Sequence, residues 1–510
     1  MQFVGVFKMA QPELLPFWIK VNELFEHICL TMDQVWQKRK RILDTRLLVI
    51  FIFKMILSKN KQGYGSNLNA LWESCSEKGI ALPQLNSVAA SSICEARQKL
   101  PENIFKILSN ELITLWHQHR ETPTWNEHRV FAIDGSKLNM PTGLLKYGYK
   151  IAKNSGRHYP HGMMSCLYNL HEQIAYDFEL VPHNDERACA IEHLKKLSEN
   201  DLVIFDRGYF SYLMLHLVME HKIQAVFRMQ TGNINGKIQK FLESSHTDEI
   251  IEYTPSEAVR TEIKKRGYTV DLKPIKTRLV KYTVNNESYL CITTLTDQDK
   301  YKESCFCDLY HSRWGIEELY KISKTFIDVE DFHSQTERTV KQELYGHLFL
   351  INLSRIFECD SKRMLPSVHK MDEVETGGGK VSKMNEKMVK INFKNCLSVV
   401  GRHLENLILA GSQLIEIWLY STMKAVARLR QRIRPGRRYP RKSFKPKTRW
   451  NAFGRGRGGV GVVCQHDDSA WSSHRTPTHI SARVNTSGIN TEKWENTCPP
   501  SGNTVCSAPA

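Results

Sequence analysis

Two aspartates end strongly apolar segments of the chain, a position where a carboxylate can do chemistry at the edge of a sheet. Asp134 ends the run Val130-Phe-Ala-Ile-Asp134, and Asp206 ends the run Asp201-Leu-Val-Ile-Phe-Asp206. Taken alone, each acid is typical of a turn or a helix cap. If the two predicted strands lie side by side, both carboxylates can share a divalent cation such as Mg2+, which prefers hard oxygen ligands. A third carboxylate normally completes such a site.

A third carboxylate occurs in a helix-like segment, together with three other functional side chains. On a helix of 3.6 residues per turn, Tyr310, Arg313, Glu317 and Lys324 fall near one face. An ordinary solvated face alternates charges at four-residue spacing instead. A carboxylate for a metal beside cations for phosphates indicates phosphoryl-transfer chemistry on a nucleic acid. Glu318 lies about 100° around the helix and is the weaker ligand candidate.

The first half of the chain changes from a helical to an α/β pattern. Residues 1–118 are predicted to be helical, and the small-residue helix Ser87–Lys99 is either a helix-turn-helix-like DNA contact or part of a packed bundle. Residues 119–231 follow the order β-β-β-α-β-α-β of an α/β sheet, with the first strand ending at Asp134.

The second half is predicted to contain an insertion and further helices. Residues 232–297 form a β-rich insertion, with strands at Tyr268–Leu272, Thr277–Val284 and Ser288–Leu295 and a hairpin turn at Asn285-Asn286. Helices occupy residues 298–365, beginning at Gln298. Residues 366–450 form a helical and polybasic C-terminal region with a linker at Glu373–Lys380 that contains Gly377-Gly378-Gly379. Residues 451–510 are predicted to be disordered and are either a read-through from a disrupted frame or an RGG-like nucleic-acid tail.

The charge balance indicates a polyanionic partner. Among 510 residues there are 71 Lys and Arg against 54 Asp and Glu, a formal charge of +17. The chain is 41% hydrophobic, which excludes a globally disordered protein. Much of the excess charge lies between Lys424 and Arg449, a proline-broken segment that favours polyanions through counterion release. A solvated tail and an anionic lipid contact are the alternatives; nucleic acid fits better, since no hydrophobic anchor accompanies the charge.

Cysteine, histidine and apolar patterns exclude other classes. The 13 cysteines include no C-x2-C pair and the 20 histidines no H-E-x-x-H motif, so neither a disulfide framework nor a structural zinc is expected. The longest apolar run, Leu47–Leu57, contains Lys54 and is shorter than the roughly 20 residues of a membrane span. The N-terminus lacks a signal-peptide pattern. We therefore expect no membrane partner and a cytoplasmic location.

The spacing Y-x2-R-x3-E-x6-K from Tyr310 to Lys324 resembles the signature of bacterial insertion-sequence DDE transposases of family 4. Asp134 in Ile-Asp-Gly-Ser and Asp206 in Phe-Asp-Arg-Gly-Tyr resemble the first and second acids of that family, in the same order. The resemblance covers roughly residues 20 to 450.

The resemblance implies an α/β fold with an RNase H-like catalytic core, interrupted by the β-rich insertion and flanked by a helical N-terminal DNA-binding region and a C-terminal region for subunit pairing. Asp134, Asp206 and Glu317 would bind two Mg2+ ions, with Mn2+ as a substitute. The partners would be double-stranded DNA, at terminal inverted repeats and at a target, and a second copy of the chain. The reaction would be cut-and-paste transposition through a hairpin end.

The resemblance also implies DNA contacts. Tyr310, Arg313 and Lys324 would hold phosphates of the transposon end and the displaced strand. Tyr289 matches the position of an aromatic residue that stacks on a flipped base, or it is an ordinary core or cross-strand tyrosine. Trp314 is either a wedge beside the DNA or a core residue, and Arg207 is a phosphate candidate.

Two other functions remain open at this point. The first is a site-specific nuclease with the same metal-dependent core but no strand transfer. The second is a catalytically silent relic that binds the ends of an element.

Overall fold

A computed structural model describes most of the chain up to residue 433. The described ranges are 14–39, 41–58, 62–152, 158–230, 236–268, 272–284, 287–365, 389–409 and 412–433. Within them the chain has a mixed α/β fold with one large mixed sheet and many helices. No helix among the described residues is both long enough and apolar enough to cross a membrane.

Among the described residues, five helices precede the sheet, in the region that the sequence predicts to be helical. They are α1 (Leu15–Trp36), α2 (Thr45–Leu57), α3 (Tyr64–Glu77), α4 (Ala90–Lys99) and α5 (Ile104–His119). Asp44 caps α2 by accepting a hydrogen bond from the backbone N–H of Leu47. Helix α2 is apolar nearly all round and is buried. Helix α4 keeps Ser91 and Ser92 exposed, and buries Ile93 and Arg97.

The sheet has eight strands in the order β3-β2-β1-β4-β5-β8-β7-β6. The strands are β1 (Val130–Asn139), β2 (His161–Asn169), β3 (Ile174–Val181), β4 (Leu202–Phe205), β5 (Gln224–Arg228), β6 (Asp248–Tyr253), β7 (Ile275–Val284) and β8 (Glu287–Thr293). Strands β1, β4 and β5 are parallel neighbours, and the other pairs are antiparallel. Residues of β1 alternate between two apolar layers, because successive side chains point to opposite faces.

The prediction that the first strand ends at Asp134 is wrong. Strand β1 continues to Asn139, because its antiparallel pairing with β2 runs on through Gly135 and Ser136 to the pair Asn139–His161. Its parallel pairing with β4 does stop near the acid, at Ala132. Asp134 therefore lies inside a strand, just beyond the point where the parallel neighbour ends.

The insertion differs from its prediction in two respects. Strands β7 and β8 occur where expected, although Asn285 and Asn286 lie outside the described residues. Residues 269–271 of the predicted strand Tyr268–Leu272 lie outside the described residues, and its two end residues are not in a strand. Strand β6, which was not predicted, pairs with β7. Two helices, α8 (Gly236–Glu243) and α9 (Glu257–Lys265), also belong to the insertion. Since β8 pairs with β5, the insertion extends the main sheet rather than forming a separate β unit.

Helices lie on both faces of the first part of the sheet. On one face, α6 (Glu186–Leu194) and α7 (Tyr212–Glu220) pack on the layer that contains Phe131 and Ile133. On the other, α5 and the 26-residue helix α12 (Glu337–Lys362) pack in the same core as Val130 and Ala132. Helix α12 is buried over most of its length and contacts α2, α5 and β3. It is therefore the central element that joins the N-terminal helices to the sheet.

The remaining elements surround α12 or carry or adjoin the four predicted residues Tyr310, Arg313, Glu317 and Lys324. They are α10 (Cys305–Ser312), α11 (Trp314–Thr325), β9 (Val389–Ile391), α13 (Phe393–Arg402), α14 (Leu404–Ile408), α15 (Ser412–Arg428) and β10 (Arg430–Arg432). The helix predicted from Gln298 begins only at Cys305, and the short pair β9–β10 was not predicted. The glycine linker, the basic residues after 433 and the tail from residue 451 lie outside the described residues.

A buried arginine connects α4 to α12 and provides a test of this packing. Arg97 is fully buried, and it donates to Gln342 Oε1 at 3.2 Å, to the carbonyl of Thr339 at 3.0 Å and to Glu343 Oε1 at 3.1 Å. Removing one partner of a buried ion pair leaves the other charge uncompensated, which costs about 3 to 5 kcal/mol. We expect Arg97→Ala to lower the free energy of unfolding, measured with urea, by about 3 kcal/mol or more. The exposed Lys99→Ala on the same helix should change it by less than about 0.5 kcal/mol; equal effects would contradict this role for Arg97.

Candidate active site

Asp134 and Asp206 lie at matching positions on neighbouring parallel strands. The register of β1 and β4 pairs Ala132 with Ile204, two residues before each aspartate. Because neighbouring strands are about 4.8 Å apart, the two carboxyl groups stand at the same edge of the sheet. The structure thus brings the first two predicted acids together.

The carboxyl group of Asp134 is largely buried. Its Oδ1 accepts the backbone N–H of Gly135 at 2.9 Å. Burial raises the pKa of Asp134 to about 6, and the negative charges of Glu186 and Asp206 add to this effect. A carboxylate that is costly to ionise in isolation is stabilised when a cation binds beside it.

Asp206 lies next to groups that favour its charged form. The hydroxyl of Tyr310 donates to Asp206 Oδ1 at 3.0 Å. Burial acts to raise the pKa of Asp206, but the backbone N–H of Arg207, the charge of Arg313 and the Tyr310 hydrogen bond outweigh it, so the net pKa is lowered. Burial raises the pKa of Tyr310 to about 12, so its hydroxyl remains a donor at neutral pH. Two adjacent carboxyl groups therefore have pKa values shifted in opposite directions.

Arg313 stands between Glu317 and the aspartates. Arg313 is the single residue between α10 and α11, and it is nearly buried, at 4% exposed. Nη2 donates to Glu317 Oε1 at 2.6 Å, and Nη1 lies 3.9 Å from Asp134 Oδ2. Among the described residues, no three His, Cys, Asp or Glu side chains are placed to hold one metal ion together. The three predicted acids thus lie in one region, and the guanidinium of Arg313 links Glu317 to Asp134.

The aspartate pair itself fits a divalent cation. Carboxylate oxygens are the ligands that Mg2+ uses, and it commonly takes only one or two carboxylates from a protein. The carboxyl group of Asp134 remains 22% exposed, so an ion can reach it. Arg313 supplies positive charge here, and its Nε is buried without a hydrogen-bond partner among the described residues. Two carboxylates, those of Asp134 and Asp206, therefore fit a divalent cation, while Glu317 is held in an ion pair with Arg313.

Aromatic and basic side chains lie beside the second aspartate. Tyr289 of β8 stacks on Tyr282 of β7, with ring centroids 5.6 Å apart and planes at 10°, as a cross-strand pair. Arg228, at the end of β5, lies 4.7 Å from the ring of Tyr289 and 5.8 Å from that of Tyr310. Arg207 is exposed. Tyr289 is thus both a cross-strand tyrosine and part of a cationic, aromatic surface near the acids.

The remaining two predicted residues lie at opposite ends of α11. The ammonium of Lys324 donates to the carbonyl of Lys137 at 2.6 Å, and burial lowers the pKa of Lys324. Trp314 is 56% exposed and stacks on His311 at 5.8 Å. The core alternative for Trp314 is therefore wrong.

Two charged residues of this region were not identified from the sequence. Arg228 ends an apolar strand, as each aspartate does in the sequence prediction. A charged residue directly after an apolar run was therefore the signal that could have identified Arg228. Glu186 is the first residue of α6. An acid there is common because it interacts favourably with the helix N-terminus, and no local pattern separates that role from one at the sheet.

Known protein families match both the N-terminal helices and the sheet-containing region. Residues 125–353, which include all three acids, match the family described as transposase DDE domain. Residues 22–109, in the N-terminal helices, match the family described as insertion element 4 transposase N-terminal. The chain belongs to the DDE transposases of insertion-sequence family 4. It is therefore a DNA-cleaving enzyme.

One sequence relative agrees with this family. The transposase is 26% identical over 340 residues to transposase InsG for insertion sequence element IS4 of Escherichia coli (strain K12), a match that covers 64% of this chain and 72% of the relative. Among solved structures it is similar to the piggyBac transposase synaptic complex with hairpin DNA, at 11% identity and a TM-score of 0.37 over 81% of each chain. The two family matches and the first relative carry the family assignment.

The raised pKa of Asp134 predicts a pH-dependent cost in the metal-free transposase. A carboxyl group whose pKa is higher in the folded than in the unfolded state stabilises the fold at low pH, and this contribution is lost as pH rises through the folded pKa, here from about 4 to about 6. In EDTA at pH 7, Asp134→Asn should therefore be more stable than the parent by roughly 2 to 3 kcal/mol, and the difference should shrink towards pH 4.

Urea unfolding at both pH values measures this difference. The matched control is Asp299→Asn, at a fully exposed position. A stability gap between Asp134→Asn and the parent that is the same at pH 4 and pH 7 would contradict the burial of an ionised carboxylate at this site.

Proposed function

We propose that this transposase cleaves DNA at the terminal inverted repeats of its insertion sequence and joins the freed 3′ ends to target DNA. The observation that carries the proposal is the in-register placement of Asp134 and Asp206 against the helix pair that bears Tyr310, Arg313 and Glu317. The strand order β3-β2-β1-β4-β5, with β1, β4 and β5 parallel, supports an RNase H-like core.

The cation would be held at the aspartate edge. We assign Asp134, Asp206 and Glu317 as ligands of two Mg2+ ions, with Mn2+ as a substitute. When bound, the ions stabilise the attacking and leaving oxygens of phosphoryl transfer. In the chain itself, Tyr310 orients Asp206 and helps to favour its charged form, while Arg313 balances the charges of Asp134 and Glu317. Glu317 would join the aspartates when it exchanges Arg313 for the cation.

DNA contacts would come first from exposed groups. Arg207 and Trp314 are solvent-accessible, and Lys324 is half-buried, so a phosphate can reach each of them. Tyr310 and Arg313 face the carboxylates, and they would contact phosphates after giving up those partners. Tyr289, beneath Arg228, would stack on a flipped base during a hairpin step.

The assembly we propose is a homodimer on two DNA ends. Residues 1–118 would bind the DNA ends, and residues 366–450 would pair the subunits and add nonspecific phosphate contacts. Cleavage would proceed through a hairpin end, in the cytoplasm. The inverted repeats and the target are both double-stranded DNA.

Adjacent glutamates on α11 allow a matched test. Glu317 bonds to Arg313 in the acid region, whereas its neighbour Glu318 is exposed and pairs with Lys321. We expect Glu317→Gln to reduce Mg2+-dependent cleavage of a duplex carrying the flanking inverted repeat by at least about 100-fold, since it removes charge that the proposed metal site needs. Glu318→Gln should cleave like the parent. Both should bind the duplex with the parent's affinity in Ca2+.

The products separate this proposal from the other functions. Joined products with a target duplex support transposition, whereas nicks without joining would identify a nuclease. Binding without cleavage by the parent in any metal would identify a silent relic. Parent-like cleavage by Glu317→Gln would remove Glu317 from the site.

A further inference from the structure

A fourth carboxylate lies beside the aspartates. Glu186 is half-buried at the start of α6, which packs against β1 and β2. Its negative charge interacts with Asp134, and that of Asp206 acts in turn on Glu186. Lys137 of β1 is the nearest compensating cation, and it is exposed. The edge of the sheet therefore gathers three carboxylates even without Glu317.

The backbone of β1 leaves room for this side chain. A Cβ atom at Gly135 would lie 3.1 Å from Cγ and 3.4 Å from Cδ of Glu186, and 3.1 Å from Sδ of Met163. With a Cβ atom there, Glu186 or Met163 would have to give way by a few tenths of an ångström. The glycine that follows Asp134 thus allows the Glu186 side chain to lie directly over the strand that carries the first acid.

A buried polar network fixes the helix that carries Glu186. His193, about two turns further along α6, bonds through Nδ1 to Asp177 at 2.9 Å and through Nε2 to the hydroxyl of Ser165 at 3.0 Å. All three residues are buried, and Ser165 is completely so. This Ser–His–Asp set therefore has no access to a substrate; it holds α6 on β2 and β3. Asp185 caps the same helix by accepting from the backbone N–H of Ala188.

A buried hydroxyl also points into the three carboxylates. Tyr209 is 1% exposed, and its hydroxyl donates a weak hydrogen bond, outside strict hydrogen-bond geometry, to the Glu186 carboxyl group. Asp134, Glu186, Cys189 and Asp206 act electrostatically on that hydroxyl. Tyr209 therefore favours the charged form of Glu186 and keeps its side chain beside the two aspartates.

We propose that Glu186 is an additional cation-binding residue of this transposase, acting with Asp134 and Asp206 on the Mg2+ that the proposed function requires. Mg2+ keeps several of its waters in protein sites, so Glu186 acts through the hydration shell of the ion as well as by its charge. This inference rests on the proposed function. It also accounts for three features: the Glu186 carboxylate faces the sheet, Gly135 lies opposite it, and a buried polar network holds α6 in place.

The competing explanation is that Glu186 only stabilises the N-terminus of α6. An acid in the first helical turn contributes about 0.3 to 1 kcal/mol through the helix dipole. That role predicts a small change in the unfolding free energy and no change in cation affinity. Cation affinity therefore separates the two roles.

The experiment measures Mn2+ binding to the full-length protein by electron paramagnetic resonance of the free ion. We compare the parent with Glu186→Gln, Asp134→Asn and the control Glu192→Gln, which is exposed on the same helix and pairs with Lys195. We expect Asp134→Asn to abolish the site and Glu186→Gln to weaken Mn2+ binding by about 10-fold. Glu192→Gln should bind like the parent. The Mg2+ concentration for half-maximal cleavage should rise by a similar factor in Glu186→Gln.

Each outcome decides between the claims. If Glu186→Gln binds Mn2+ like Glu192→Gln while Asp134→Asn does not bind, the role of Glu186 is overturned and the aspartate site stands. If Asp134→Asn binds Mn2+ as the parent does, the proposed metal site itself fails.

Discussion

The pairing of β1 with β4 is the constraint on which the rest of the site depends. Parallel strands in this register place Asp134 and Asp206 side by side, each two residues beyond the last hydrogen-bonded apolar pair. Apolar layers on both faces hold the strands in place, with Val130 and Ala132 in one layer and Phe131 in the other. Since a one-residue slip would turn every side chain to the opposite face, the core that stabilises the sheet also fixes the acids.

The carboxylates of Asp134 and Asp206 lie close together at a partly buried edge of the sheet and repel each other. Neighbouring hydrogen-bond donors and a cation reduce that repulsion. Tyr310 donates to Asp206, and Arg313 lies between Asp134 and Glu317. Tyr310 and Arg313 therefore hold the three acids in position within the chain before any DNA is present. A cation bound at the aspartates would compete with Arg313 for the same negative charge, and metal binding would then be coupled to the position of Glu317.

The sequence predicts those features that depend on local pattern. The two apolar runs before the aspartates and the spacing from Tyr310 to Lys324 identify six of the main side chains, and both aspartates do meet in space. The end of β1 was placed too early because the antiparallel partner β2, remote in sequence, extends the strand past Asp134. Strand β6 was missed because its sequence, Asp248-Glu-Ile-Ile-Glu-Tyr253, is charged and half exposed at the sheet edge. Glu186 was missed because its nearness to the acids comes from the packing of α6, which no local pattern reports.

The most direct test of the central claim is a crystal structure of the full chain with Mn2+, using anomalous scattering to locate the ion. We expect an anomalous peak between Asp134 and Asp206, about 2.1 Å from a carboxylate oxygen of each. Anomalous peaks only elsewhere, with Arg313 still bridging Asp134 and Glu317 at saturating Mn2+, would contradict the claim that the paired strands build the metal site.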